Sequence, residues 1–255
     1  MKLDSYDFFT YKINLVKILN LHSKIIKTYM KIVYIHRKHF ENAGDWWSTP
    51  HHYFEKGEVF DFIENPNNYK TEECDLLIIG GGGILELEDI PKHQIWINKL
   101  NPKKKVIWGA GASHKTFDHP FYKQFNLIGL RNAISPFNFI PCVSCLHPLI
   151  KYNNKGSGEI IIGHNKRPLP NQNHNQHVPI ERSIHNINKA SRVITTSYHI
   201  YYWSRLMGKN TKLAIEKSYP GWKPIAEKYF TFPDEFDLNK FRKIQIDFAK
   251  LVYSL

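Results

Sequence analysis

Leu76-Leu77-Ile78-Ile79-Gly80-Gly81-Gly82-Gly83 sets four apolar residues directly before four glycines. A short apolar run bounded by glycine reads as a strand buried on both faces, the kind that parallel sheets use. The glycines leave bare backbone at the strand's carboxyl end. There the chain can turn tightly, and a ligand can reach main-chain N–H groups. Open α/β sheets bind ligands at that edge. A glycine turn that only lets a helix pack reads the same way, so the flanking segments decide.

Upstream, Ile32-Val33-Tyr34-Ile35 is a first strand, followed by a polar loop from His36 to Thr49. Downstream, a helix is expected near Gln94 to Leu100. Val106-Ile107-Trp108 is then a strand ending in Gly109-Ala110-Gly111, and Leu127 to Leu130 is another ending at Arg131-Asn132. Strands alternating with helices, each closed by glycine or polar residues, predict a parallel sheet. Residues 151–158 read as a linker. The theme then repeats with a strand at Glu159 to Ile162, a loop at 168–177 and a helix at Arg182 to Lys189. A strand at Arg192 to Thr196 and a helix at His199 to Met207, stopped by Gly208, follow. Asp237 caps a last helix with Phe241, Ile244, Phe248, Leu251 and Val252 on one face. The expected fold class is α/β: two Rossmann-like halves, 30–150 and 151–255, with a cleft between them.

Residues 1–29 stand apart. Leu15, Ile18, Leu19, Ile25 and Ile26 recur at helical spacing among Lys12, Lys17, Lys24 and Lys27. A basic amphipathic helix of this kind can lie on an anionic membrane. It can equally pack on the protein body, or be an extension that precedes a start at Met30.

The chain has 255 residues, enough for a sizeable core, and its 42% hydrophobic content marks a globular protein. A net charge of +12 suits an anionic partner. The basic residues are scattered apart from Lys103-Lys104-Lys105, and no nucleic-acid-binding signature is present, so nucleic acid is not the expected partner. Three cysteines make no disulfide framework. Cys142 and Cys145 form one C-x-x-C, half of a zinc site, and read as reduced cysteines of a cytoplasmic protein. No apolar run is long enough to span a bilayer, and no signal peptide is evident.

Three further clusters carry chemistry. In Asn42-x-Gly44-Asp45, glycine permits close approach, while the polar pair can cap a helix or hold a ligand hydroxyl. Arg131, at a strand's carboxyl end, either grips phosphate or carboxylate bidentately or forms a surface ion pair. Thr195-Thr196-Ser197-Tyr198-His199 joins strand to helix. Its hydroxyls can cap that helix, whose N-terminus favours an anion. His199, in the first turn, is either a structural hydrogen-bonder or a general acid or base facing the cleft.

In this order, Asn42-Ala-Gly44-Asp45, Asp75-Leu-Leu-Ile-Ile-Gly80-Gly-Gly-Gly83, Gly109-Ala-Gly111, Arg131-Asn132-Ala-Ile-Ser135 and Ser197-Tyr-His199 resemble the polysaccharide pyruvyl transferase family, over residues 30–210. The resemblance implies a GT-B-like fold. It also implies transfer of an enolpyruvyl unit from phosphoenolpyruvate onto two sugar hydroxyls, forming a cyclic ketal, with no metal or other cofactor. The implied roles are His199 as acid with His164 as the second candidate, and Arg131 as anion clamp. Lys166 and Arg167 would assist beside Thr196 and Ser197. Asn42, Gly44, Asp45, Gly80, Gly81, Gly82, Gly83, Gly109 and Gly111 would shape the acceptor side. Two departures stand out. The family's Ser-Arg-Leu-His has Ser197 in place of its arginine, and the family's Arg-Asp is here Arg131-Asn132. The first suits the alternative of a glycosyltransferase with a nucleotide-sugar donor; a non-catalytic glycan-binding relative is a third reading. The expected location is the cytoplasm, with contact at the inner face of the membrane through residues 1–29.

Overall fold

The computed structural model describes residues 30–39, 41–70, 73–164, 168–175, 178–214 and 231–255; the N-terminal helix expected within 1–29 lies outside them. The chain is α/β with parallel sheets. The larger sheet contains β1 (Ile32–His36), β2 (Glu58–Asp61), β3 (Leu76–Gly80), β4 (Gly83–Leu85), β5 (Lys104–Ala112), β6 (Leu127–Leu130) and β7 (Asn138–Phe139). Its order is β2-β1-β3-β5-β6-β7, with β4 beside β5. Every pairing in it is parallel. Two short helices of this half are α1 (Ala43–Trp46) and α2 (Ile90–Leu100).

Both faces of this sheet are covered, which is why its central strands carry unbroken apolar runs. Val33, Ile35, Leu77, Ile79 and Ile107 pack with Trp96, Ile97 and Leu100 of α2. Tyr34, Leu76, Ile78, Val106 and Trp108 point the other way, into a core shared with the second half. Burying each large side chain contributes roughly 1.5–3 kcal/mol. The four glycines do not lead into a helix. Gly80 ends β3; Gly81 and Gly82 take φ of +85° and +70°, and the chain continues as β4. Helix α2 starts only at Ile90. The glycines therefore re-aim a strand along β5 rather than open a helix N-terminus.

The smaller sheet has the order β11-β10-β8-β9. Its strands are β8 (Glu159–Gly163), β9 (His174–Asn175), β10 (Arg192–Thr195) and β11 (Asn210–Leu213), again all parallel. Helix α3 (Ile180–Lys189) buries Ile180, Ser183, Ile184 and Ile187, a spacing of three and four that fits one helical face. Helix α4 (Tyr198–Leu206) follows β10, and Gly208 at φ +78° closes it as expected. Strands β2, β7, β9 and β11 escape a sequence reading because each is an edge strand, paired on one side only. Such strands need no continuous apolar run.

Helix α5 (Leu238–Val252) starts where Asp237 accepts a hydrogen bond from the Lys240 N–H at 2.9 Å. It touches the second half, where Phe241 stacks on Tyr202 at 6.2 Å, and it reaches the first half as well. Trp108 Nε1 donates to Gln245 Oε1 at 2.7 Å, and Gln245 donates to the Pro141 carbonyl. Phe248 meets Trp108 edge-on at 5.4 Å, and Tyr253 lies 3.0 Å from Tyr34 hydroxyl to hydroxyl. The last helix thus returns to the first sheet, and a sequence boundary at 150 separates it from the surface it covers. Leu251, expected on its apolar face, is 56% exposed. Gln245→Leu leaves the buried Trp108 N–H without an acceptor. Chemical denaturation should show a loss of about 1–3 kcal/mol; an unchanged urea midpoint would mean that the indole finds another partner.

Candidate functional site

In both sheets the carboxyl ends of the strands supply the residues that meet. The loop after β1 carries Asn42, Gly44 and Asp45. The Asn42 amide does not cap α1; it donates to Asp45 Oδ2 at 2.8 Å. Arg37 Nε stands 4.0 Å from the same oxygen. This turn rests on the glycine bend: a Cβ on Gly81 would lie 2.5 Å from the Ser48 carbonyl oxygen, and one on Gly82 would lie 3.2 Å from Asp45 Oδ1. Gly81 and Gly82 take positive φ and lie against the turn at Ser48 and α1's Asp45, so neither leaves room for a side chain.

Arg131 leaves the end of β6 and is buried, with 4% exposure. Its guanidinium carbon lies over the Tyr198 ring, 3.7 Å from the centroid. A Cβ on Gly111 would come within 2.7 Å of its Nε, so that glycine is the floor on which the arginine rests. Asn132 fixes the loop: its Oδ1 accepts from the Ala112 N–H at 2.9 Å and its amide donates to the Ala112 carbonyl at 3.0 Å. A carboxylate could accept the first bond but not donate the second, so this loop requires an amide at position 132. Arg131 Nε is buried without a hydrogen-bond partner, and among the described residues no carboxylate pairs with this guanidinium.

His199 comes from the second half. Its Nε2 lies 3.4 Å from Arg131 NH1 and 3.7 Å from Cys142 Sγ. A guanidinium only donates, so Nε2 accepts and the ring hydrogen sits on Nδ1. The ring is 6% exposed rather than open to a cleft. Burial, then Arg131, then His164 push its pKa well below the usual histidine range, so His199 is neutral. Burial pushes the Cys142 thiol up, against the pull of Arg131. Gly44 seats the imidazole, because a Cβ there would stand 2.1 Å from Nδ1. Gly44→Ala must move the ring or α1. The expected cost is about 1–3 kcal/mol in urea unfolding; full stability would show that α1 yields freely.

His164, at the end of β8, donates its backbone N–H to Thr196 Oγ1 at 2.7 Å. Thr195 Oγ1 accepts from the Ser197 N–H at 2.9 Å, while Ser197 Oγ is buried without a hydrogen-bond partner and does not cap α4. Thus Thr196 ties the end of β10 to the end of β8. Gly109, at φ +64°, forms a bulge in β5, and Gly80 packs on the Trp108 carbonyl; neither reaches His199 or Arg131 by any contact found among the described residues. Gly83 is exposed at the start of β4. Lys166 and Arg167 lie outside the described residues. Cys142 and Tyr198 are site residues the sequence reading passed over. The first was one of an unremarkable C-x-x-C, and the second gave no signal beyond its place before His199.

The cysteines are free and buried. Among the described residues no group of three His, Cys, Asp or Glu side chains is arranged to hold a metal, and no helix is long and apolar enough to cross a membrane.

No family model and no curated protein matches the chain. A solved structure of an uncharacterized protein from Klebsiella pneumoniae is similar, at a TM-score of 0.49 and 17% identity, over 88% of this chain and 94% of that one.

Proposed function

We propose that this protein is a transferase of the polysaccharide pyruvyl transferase kind. It takes an enolpyruvyl unit from phosphoenolpyruvate, passes it to a saccharide and releases phosphate. The observation that carries this reading is Arg131: a buried guanidinium with no carboxylate among its described neighbours. Burying a cation without a counter-charge costs several kcal/mol, and an anionic substrate removes that cost. A histidine in contact with the arginine, at the carboxyl edge of two parallel sheets, supports an active site rather than a structural ion site. In this reading the two sheets are the Rossmann-like halves of a GT-B-like fold.

The reaction adds a proton to the methylene carbon of the donor. The adjacent carbon becomes oxocarbenium-like and takes a sugar hydroxyl; phosphate then leaves with its bonding electrons, and a second hydroxyl closes the ketal. His199 is the acid candidate closest to the clamp, with His164 behind it. Lys166 and Arg167 would supply further positive charge, while Asn42 and Asp45 would orient acceptor hydroxyls. Residues 1–29 would hold the enzyme near the inner membrane face. Incubation with phosphoenolpyruvate and envelope oligosaccharides should release phosphate only when an acceptor is present, and Arg131→Met should abolish it. Release that ignores the acceptor would remove pyruvyl transfer.

One observation favours a second reading. Ser197 Oγ is buried without a hydrogen-bond partner at the start of α4. A glycosyltransferase would place the diphosphate of a nucleotide sugar there, against the helix N-terminus. Release of nucleotide in the same assay would favour it.

A further inference from the structure

We propose that the buried pair of Arg131 and His199 binds a divalent anion of the phosphate class together with one proton, which lodges on His199. The inference rests on the reading that Arg131 holds the substrate's anion, and it concerns the charge state that binding creates. Three observations lead to it. First, the imidazole and the guanidinium meet directly: NH1 stands 3.4 Å from Nε2, so the nitrogen that accepts from arginine is the only one that can gain a proton. Second, both groups are buried, at 6% and 4% exposure, so water does not screen charge between them. Third, Arg131 Nε, which rests on Gly111, has no hydrogen-bond partner, so the guanidinium keeps a buried donor unmatched.

The groups facing His199 are Arg131 from the end of β6, Cys142 from the turn after β7, His164 from the end of β8 and Tyr198 beside it in α4. Asp45, from α1, acts on Cys142. Arg131 and His164 disfavour a second positive charge. Asp45 is engaged with Asn42 and Arg37. Without the anion the imidazole is therefore neutral, in agreement with the direction that burial and Arg131 give its pKa. An anion bound across the two groups reverses the balance. Two negative charges outweigh the single guanidinium, and contact at this depth moves a protonation equilibrium by on the order of a thousandfold. Arg131 then turns its NH1 to the anion and releases Nε2 to carry the new proton. The site thereby arms its acid only when the donor is present, and no proton balance is left open, because solvent supplies the proton on binding.

Sulfate is the probe of choice, since it remains a dianion near neutral pH and cannot itself hold the proton. Calorimetric titration of the full chain with sulfate, near pH 7 in two buffers of different ionisation heat, counts protons per bound anion. The expected result is uptake approaching one proton, falling as the pH rises, and lost in His199→Gln, which keeps an acceptor for Arg131. Binding without proton uptake overturns the proposal and leaves the anion site standing. Uptake that persists in His199→Gln also overturns it, because the proton then lies elsewhere. Should His199→Gln fail to bind, nitrogen NMR of the wild-type ring decides. Two protonated nitrogens with sulfate and one without support the proposal; an unchanged neutral ring overturns it. If neither sulfate nor phosphoenolpyruvate binds, the anion-site reading falls, and this inference with it.

Discussion

Acidification from pH 7 should unfold this protein by about pH 4.5, well before most carboxylates are protonated. The cause is buried neutral histidine. Burial, with smaller effects from neighbouring histidines, holds His36 down at about 3; burial holds His93 and His147 at about 4. Each is nearly fully enclosed. His93 donates Nε2–H to the Ile84 carbonyl at 2.8 Å and stacks on Phe62, and His147 lies edge-on to Trp47 at 4.6 Å. The sign follows from proton counts. Below pH 6.5 the unfolded chain protonates these rings while the folded chain does not, so unfolding takes up protons and stability falls with pH. The fall begins at the unfolded value and continues through the folded ones. Each ring contributes about 1.4 kcal/mol per pH unit in that window. Three together lose about 4 kcal/mol per pH unit, which consumes a typical stability of 5–15 kcal/mol within two or three units. Urea unfolding at a series of pH values measures the slope directly. His36→Phe, which removes a ring whose Nδ1 has no hydrogen-bond partner, should lower the slope by a third. A flat stability between pH 6.5 and 5 would show that these rings can charge in place.

The second large effect runs opposite to intuition. Arg131→Met should make the empty protein more stable and destroy its anion binding. The arginine is enclosed, has no carboxylate partner among the described residues, and is offset only by the Tyr198 ring and a long contact to His199. Methionine keeps the unbranched length and fills the same space above Gly111 without a charge. Replacing even paired buried charges with apolar groups of similar volume is often neutral or stabilising by about 1–4 kcal/mol. A gain of about 2 kcal/mol should raise the melting temperature by roughly 5 °C in a chain of this size. Function that requires a destabilised site is a common reason for such a residue to persist. A loss of stability in the variant would mean that the guanidinium is compensated, and the argument for an anion site would weaken accordingly.

How far the sequence carried the account depends on the kind of residue. Runs such as Leu76–Ile79 and Ile32–Ile35 were legible because strands buried on both faces admit only apolar residues. Asn210–Leu213 was not, because a polar edge strand has no such pattern. The glycines were visible as a cluster, yet their purpose was not. Gly81 and Gly82 accommodate the turn at Ser48 and α1's Asp45, Gly44 seats His199 and Gly111 seats Arg131, and each contact spans chain segments that composition cannot bring together. Arg131 stands out at a strand end and His199 in the first turn of a helix; their meeting at 3.4 Å is a tertiary fact. Helix α5 was predicted with its cap and most of its apolar face, but its docking surface, which draws on both halves of the molecule, left no local trace.

If Arg131 holds a small phosphorylated anion as proposed, binding must show as stabilisation of the folded chain. The most direct test is the melting temperature of the wild-type protein and of Arg131→Met with phosphoenolpyruvate and, separately, with nucleotides and nucleotide sugars. A ligand that binds only the folded state at a hundredfold excess over its Kd adds about 2.7 kcal/mol. The account predicts that phosphoenolpyruvate raises the wild-type melting temperature by several degrees, and that neither the nucleotides nor the Arg131→Met protein shows a shift. A shift with one nucleotide alone, or a phosphoenolpyruvate shift that survives in Arg131→Met, would contradict it.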